Sequence, residues 1–297
     1  MARDGEINLS IFRHPVLSLE VCALPVTYRE ERSAMLSAAV DTALWIRRFH
    51  PSPDANVRLV CLPHAGGSAS FYYPVSESLT PGVEVLAVQY PGRQDRRNEP
   101  CVESVTELAD LIVEALQLWI DERPIALFGH SMGATVAFEV ARRLEQHGRP
   151  LVALFASGRR APSRYRDDQV HLRDDNGIVA ELQTLSGTDS RLLGNEDLLR
   201  LVIPVVRADY KAVETYRCDP GAKVMCPVSV LVGDNDPKAT VEEARAWSEH
   251  TASAFELQVY PGGHFYLSTH QDRVTDLLLD RLVDSPAAFM ASPRGLL

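Results

Sequence analysis

Residues Gly129-His130-Ser131-Met132-Gly133 constrain this chain more than any other stretch. They follow the apolar run Ile125-Ala126-Leu127-Phe128 with no linker and lead straight into Ala134-Thr135-Val136-Ala137-Phe138-Glu139-Val140-Ala141. That order reads as a short buried strand, one sharp turn and a helix. Glycine stands two positions to either side of Ser131 because a side chain at 129 or 133 would collide where the helix folds back on the strand. Ala134 and Ala137 keep the first helical turns slim for the same reason. A serine in such a turn is strained and sits at a helix N-terminus, where its hydroxyl is exposed and the helix dipole favours developing negative charge. The layout is that of a nucleophile elbow.

The rest of the chain supplies a sheet for that turn to sit on. Runs rich in β-branched residues at 58–62, 83–89, 125–128, 151–157, 228–232 and 256–260 read as strands, with helices expected near 68–80, 103–121, 131–147, 240–251 and 270–284. Leu108, Leu111, Ile112, Ala115 and Leu116 recur at helical spacing. Continuous apolar strands alternating with helices predict an α/β fold with a mostly parallel, doubly wound sheet. The rhythm breaks between 158 and 227, an interval too long for one crossover. It opens on a polar stretch and then shows helical patterns at about 176–186 and 195–216. This segment is expected to be an inserted helical lid over the carboxyl ends of the strands, where ligands bind in such sheets. The division is therefore an N-terminal arm over 1–43, a main domain over 44–284 containing the lid, and a tail over 285–297. The arm is expected to be loosely attached, with Met35 an alternative start.

A serine hydroxyl attacks poorly until a base takes its proton. In elbow folds the partners follow in the order Ser, Asp or Glu, His. Tyr260-Pro261-Gly262-Gly263-His264-Phe265 ends the last strand, and its glycines let a loop carry His264 back over the sheet. His270 competes, but it falls at the start of the last helix. Gly233-Asp234-Asn235-Asp236-Pro237 ends the preceding strand. Asp236 is the candidate orienting carboxylate, because Pro237 restricts its backbone to extended forms; Asp234 is the runner-up. An oxyanion hole needs two backbone N–H groups. Met132, after the nucleophile, would give one. The loop Leu62-Pro63-His64-Ala65-Gly66-Gly67-Ser68 would give the other, through Ala65 or alternatively Gly66. His64 is expected to shape that loop and His130 to pack beside the elbow.

Composition removes other classes. With 297 residues, 45% hydrophobic, 24% charged and a net charge of -10, the chain has ordinary globular make-up and no basic run for nucleic acid. No apolar stretch approaches the ~20 residues of a membrane span, and no signal peptide is evident, so a cytoplasmic protein is expected. Five cysteines without paired spacing suggest reduced thiols, with Cys61 and Cys226 as core residues. No metal-ligand spacing and no phosphate-binding glycine loop occurs, so no cofactor and no metal are expected.

Taken together, LVCLPHAGGSASFYYPVSESL, VQYPGRQDRR, FGHSMGATVAFEVARRLE, SGRRAP, LSGTD, LLRLVIPVVRADYKAVETY, CPVSVLVGDNDPKA and YPGGHFYL resemble the type II, stand-alone editing thioesterases of polyketide or nonribosomal peptide biosynthesis. The likeness runs from about Trp45 to about Leu282, leaving the arm outside it. It implies an α/β-hydrolase fold with Ser131, Asp236 and His264 as the triad. It also implies hydrolysis of acyl thioesters on the phosphopantetheine arms of acyl carrier domains, removing acyl groups that stall the assembly line. Arg159, Arg160, Arg164 and Arg166 are candidates for a basic patch that docks an acidic carrier. Of the lid residues Leu182, Leu185, Leu198, Leu199, Leu201, Val202, Ile203, Val205 and Val206, most are expected in packing and a minority along a pocket. A carboxylesterase or lipase would share the elbow. A malonyl-type acyltransferase would need a GxFHS-like motif where this chain has GDNDP and PGGHF. A silent carrier-binding accessory would not need the full set of reactive residues.

Overall fold

A computed structural model describes residues 42–185 and 196–284. The expectations for 1–41, for 186–195 within the lid and for 285–297 lie outside the described residues.

Seven strands form one sheet in the order β1-β3-β2-β4-β5-β6-β7: Ile46–Arg47 (β1), Arg58–Leu62 (β2), Glu84–Val88 (β3), Ile125–His130 (β4), Ala153–Ser157 (β5), Val228–Gly233 (β6) and Phe255–Tyr260 (β7). All neighbours are parallel except β1, which pairs antiparallel with β3 at the edge. Six of these strands match the sequence reading to within two residues at each end. β1 is new: two residues are too short to show a period.

Every residue of β2, β3, β4, β5 and β6 is buried, because helices cover both faces. The alternation of side chains divides the core. Val60, Leu62, Leu86, Val88, Leu127 and Leu154 face one cluster, and Leu59, Cys61, Val85, Ala87, Phe128 and Phe155 face the other. The first is covered by α3 (Val105–Leu116) and α4 (Met132–Gln146), through Leu108, Ile112, Val136, Phe138 and Val140. The second is covered by α2 (Tyr73–Leu79) and α9 (Gln271–Leu279), through Leu79, Val274 and Leu278. Cys61 and Cys226 are buried thiols, as expected.

Start signals are legible at several helices. Ser104 caps α3 by accepting from the Glu107 N–H, and Thr240 with Glu243 forms a capping box at α7 (Val241–Arg245). The short helices α1 (Thr42–Trp45) and α8 (Tyr266–Thr269) were not anticipated. The lid segment supplies α5 (Asp175–Thr184) and α6 (Glu196–Thr215), close to the predicted 176–186 and 195–216.

The chain lays down β2, steps outward to β3 and returns across to β4, so the order reverses between β2 and β4. Crevices open at the carboxyl ends of strands on either side of such a reversal. The loop after β2 and the turn after β4 meet there. Loops after β6 and β7, two and three strands along, reach the same end of the sheet.

Candidate active site

Ser131 sits between β4 and α4 with φ 56° and ψ -119°, a conformation that a non-glycine residue holds only under constraint. The constraint is close backbone packing. A Cβ on Gly129 would lie 2.1 Å from the Gly133 carbonyl oxygen, and one on Gly133 would lie 2.0 Å from the Leu62 oxygen. Any side chain there would push the helix off the sheet. The Ser131 N–H donates to the Ser157 carbonyl of β5 at 2.8 Å, tying the turn to the next strand.

His264 follows β7 on the predicted loop. Its Nε2 lies 3.0 Å from Ser131 Oγ, and its Nδ1 lies 2.9 Å from both oxygens of Asp236. His264 is 2% exposed and Asp236 6%. The Asp236 carboxylate also accepts the Lys238 N–H at 2.8 Å, which fixes its plane. Burial keeps water from competing for these bonds. Three residues separated by up to 133 positions thus form one hydrogen-bonded line.

The alternatives have other partners. Asp234 is exposed and accepts from the Gly262 N–H at 2.9 Å, so it fastens the acid loop to the histidine loop. The two loops press together so closely that a Cβ on Gly233 would meet the Gly263 oxygen at 2.4 Å. His270 donates through Nε2 to the Pro261 carbonyl at 2.9 Å, away from Ser131.

Met132 is the first residue of α4, so its N–H has no carbonyl one turn back. In the loop after β2, the Gly66 N–H donates to Asp209 Oδ2 at 2.7 Å and the Gly67 N–H to the His64 carbonyl at 2.9 Å. No acceptor among the described residues takes the Ala65 N–H. The alternative at Gly66 is therefore already engaged, and the Ala65 amide is the one at liberty.

Two further histidines stand behind the site. His130 is fully buried, its Nδ1 is 2.9 Å from Ser157 Oγ, and Ser157 Oγ is 2.6 Å from the Tyr266 hydroxyl. Its ring centre is 5.1 Å from that of His264. Burial first, then the neighbouring His264 and His64, hold its pKa well below the usual imidazole value, so it is neutral. His64 packs its ring edge-on to Phe71 and Phe265. Both thus behave as packing residues.

The four arginines line one pocket together with Arg217, and each already has a partner within the chain. Arg160 is buried, pairs with Asp168 at 3.3 Å and donates to the Lys238 carbonyl. Arg166 pairs with Glu243 and donates to the Pro237 carbonyl at 2.8 Å. Arg164 pairs with Glu249, and Arg159 donates to Thr135 Oγ1. They strap the start of the lid segment to the acid loop and the helices beside it. Charge was visible in the sequence, but the carboxylates that meet it came from 8 to 85 positions away.

A cleft of about 510 Å³ opens beside Gly66, between residues 92–98 and the lid helix residues Leu201, Val202 and Val205. Leu201 is 66% exposed on it, whereas Leu182, Ile203 and Val206 are buried in a small lid cluster. Most lid apolar residues pack, and a minority line a cleft, as expected. Among the described residues no helix is long and apolar enough to cross a membrane.

Comparison with known proteins agrees with this architecture. Residues 57–282 match the family model described as a thioesterase domain. The chain is 56% identical over 245 residues to the thioesterase PikA5 of Streptomyces venezuelae, covering 82% of this chain and 87% of that one. It is 53% identical over 258 residues to a probable cadicidin biosynthesis thioesterase of Streptomyces griseus, covering 86% and 71%. Among solved structures, the type II thioesterase BorB from the borrelidin biosynthetic cluster is 52% identical and superposes with a TM-score of 0.76 over 80% of this chain and 98% of that chain. The chain belongs to the thioesterase family and carries its α/β-hydrolase fold.

Proposed function

We propose that this chain is a stand-alone editing thioesterase that frees acyl groups from the phosphopantetheine arms of carrier proteins, with Ser131 as nucleophile. The observation that carries the reading is the line Ser131 Oγ, His264 Nε2, His264 Nδ1, Asp236. With Nδ1–H donated to the carboxylate, the Nε2 lone pair faces the serine hydroxyl and can take its proton. Ser131 Oγ attacks the thioester carbonyl, and the oxyanion accepts from the Met132 and Ala65 N–H groups. Collapse expels the pantetheine thiol, which takes the proton from His264. Water, deprotonated by the same nitrogen, then attacks the acyl-serine carbonyl; collapse breaks the bond to Ser131 Oγ, which takes the proton back from His264, and the acid is released.

The relatives support the substrate class. BorB is named a type II thioesterase of a biosynthetic cluster, and YbtT, 31% identical, a type II thioesterase from an NRPS/PKS pathway. The cleft beside Gly66, walled by Leu201, Val202 and Val205, suits an apolar acyl chain or the thin pantetheine arm.

The test is release of acetyl or propionyl groups from a loaded carrier protein, followed by intact-protein mass spectrometry. Ser131→Ala should abolish release, and the wild type should prefer the carrier thioester to the matching oxygen ester. Wild-type-like turnover by the variant would refute the nucleophile; a strong preference for oxygen esters would refute the substrate class.

A further inference from the structure

Asp209 lies on the lid helix α6, 1% exposed, and has no counterpart in the reaction described above. Its Oδ2 accepts both the Gly66 N–H, at 2.7 Å, and Arg93 Nη2. Arg93, 7% exposed, donates through Nε to the Gly67 carbonyl at 3.0 Å and through Nη1 to the Pro91 carbonyl at 2.7 Å. The two side chains therefore grip the amide of Gly66 and the carbonyl of Gly67 at once. Two more buried groups hold the same loop: the Tyr90 hydroxyl donates to the Pro63 carbonyl and Gln89 Oε1 accepts the Ala69 N–H. α6 adds a steric stop, since a Cβ on Gly66, which has φ +74°, would lie 2.7 Å from Val206 Cγ2. The other Asp209 oxygen, Oδ1, is buried with no partner among the described residues. A buried ion pair with an orphaned oxygen is a poor source of net stability, because desolvation offsets most of the attraction. Its selective value lies in where it holds things.

We propose that Asp209 and Arg93 are positioning residues for the reaction: a latch from the lid helix that sets the orientation of the Ala65 N–H, so that the oxyanion hole is complete only when α6 is seated. The inference rests on the reading of Ala65 as an oxyanion donor. Gly66 is the next residue, and pinning its N–H and the Gly67 carbonyl fixes the peptide planes on either side of the turn. The Ala65 N–H shares its peptide plane with the His64 carbonyl, which accepts the Gly67 N–H at 2.9 Å. Losing the grip on Gly66 and Gly67 loosens that bond and lets the 64–65 plane rotate, which moves the donor away from the developing charge while leaving Ser131, His264 and Asp236 undisturbed. The Ala65 N–H is not itself part of the cleft wall, so its rotation costs the tetrahedral state a hydrogen bond that the bound substrate does not make.

The experiment compares Asp209→Asn and Arg93→Lys with the wild type in three measurements on the full chain: kcat and KM for an acyl thioester, affinity for a trifluoromethyl ketone that forms a tetrahedral adduct with the serine, and affinity for an uncleavable thioether analogue. Both variants should lose kcat by about 10- to 100-fold, as expected for a donor displaced by about 1 Å. For Asp209→Asn, KM and thioether affinity should stay within about twofold, the pattern of an interaction made only in the transition state; Arg93 also lines the cleft, so Arg93→Lys is read through kcat and ketone affinity. Ketone affinity should fall in step with kcat. A kcat like the wild type's, or a loss confined to KM with ketone affinity intact, overturns the latch. If neither variant folds, amide exchange of the wild-type 63–69 segment decides: protection that rises on ketone binding along with protection of α6 supports the coupling, and independent exchange overturns it. Ser131→Ala is run in parallel. Retained hydrolysis there sinks the underlying reading, whereas its loss together with an unaffected Asp209→Asn sinks the latch alone.

Discussion

The turn that carries Ser131 and the inserted segment whose helix α6 packs on the neighbouring Gly66 loop are built from different forces. The elbow is backbone against backbone: Gly129, Gly133 and the Leu62 carbonyl meet at distances no side chain could share, over fully buried strands. The described lid residues have a modest apolar cluster of Val170, Ile178, Leu182, Ile203, Val206 and Tyr210, and beyond it charged side chains fasten them. Glu214 alone accepts the Val170 N–H, the His171 N–H and the His171 ring. Arg207 pairs with Asp175, and Lys238 reaches Glu181 from the acid loop. Close packing has one solution and holds reacting atoms in place. Ion pairs that reach the surface, such as Arg207 with Asp175, are weaker and reversible. The first kind of order suits a nucleophile that must be held in place, and the second suits a segment that can shift.

Asp236→Asn should give the largest effect and tests the rigid end. An asparagine whose oxygen keeps the Lys238 N–H turns its NH₂ toward His264 Nδ1. That selects the tautomer with hydrogen on Nε2, which cannot accept the serine proton. We expect a fall in kcat of about 10⁴-fold with stability little changed, measured by steady-state kinetics and thermal melts.

Gly133→Ala comes next and tests whether the elbow depends on contact distance. Alanine favours a helix by about 1 kcal/mol over glycine, but here its methyl would sit 2.0 Å from the Leu62 oxygen. The clash should dominate, costing about 1–3 kcal/mol of stability in a urea titration and most of the activity. A stabilised, active variant would contradict the packing account.

Glu214→Gln probes the lid. It removes the charge on an acceptor of three lid hydrogen bonds and should cost about 1–3 kcal/mol. The loss should be local: faster amide exchange at 170–172 and a higher KM, with kcat nearly retained. A fall in kcat matching that of Asp236→Asn would erase the distinction between the two regions.

The smallest effect is one of pH. Because the folded-state pKa of His130 is depressed, the unfolded chain binds a proton that the folded one refuses once pH falls below about 6.5. Stability should therefore decline as pH drops through that value toward 4. His264 and His64 face the same ring and oppose its protonation. Denaturant midpoints taken across that range should fall less steeply for His130→Asn than for the wild type, and equal slopes would count against a neutral buried His130.

Much of this was readable along the chain because it is local. Strand and helix positions follow from apolar period, and the elbow from glycines spaced around one serine. The assignment of Asp236 over Asp234 had only Pro237 behind it in the sequence; the Lys238 N–H and the His264 ring separate the two in space. The partners of the four arginines were not legible because charge is local but its neutralisation is not: Arg166 and Glu243 are 77 positions apart. The grip of Asp209 and Arg93 on the Gly66 loop escaped for the same reason, with 116 positions between its members. VQYPGRQDRR and LLRLVIPVVRADY contained both residues, yet nothing in either run pointed to the other.

The sequence by itself determined the α/β alternation, the strained serine turn and which residue types could serve it, since each depends on neighbours within a few positions along the backbone. Only the tertiary structure decided which aspartate meets the histidine, that the Gly66 amide is occupied while Ala65's has no acceptor among the described residues, and which partners meet the arginines. Those outcomes depend on hydrogen-bond directions and burial between segments far apart in the chain, and such distances exist only after the sheet has brought its loops to one end.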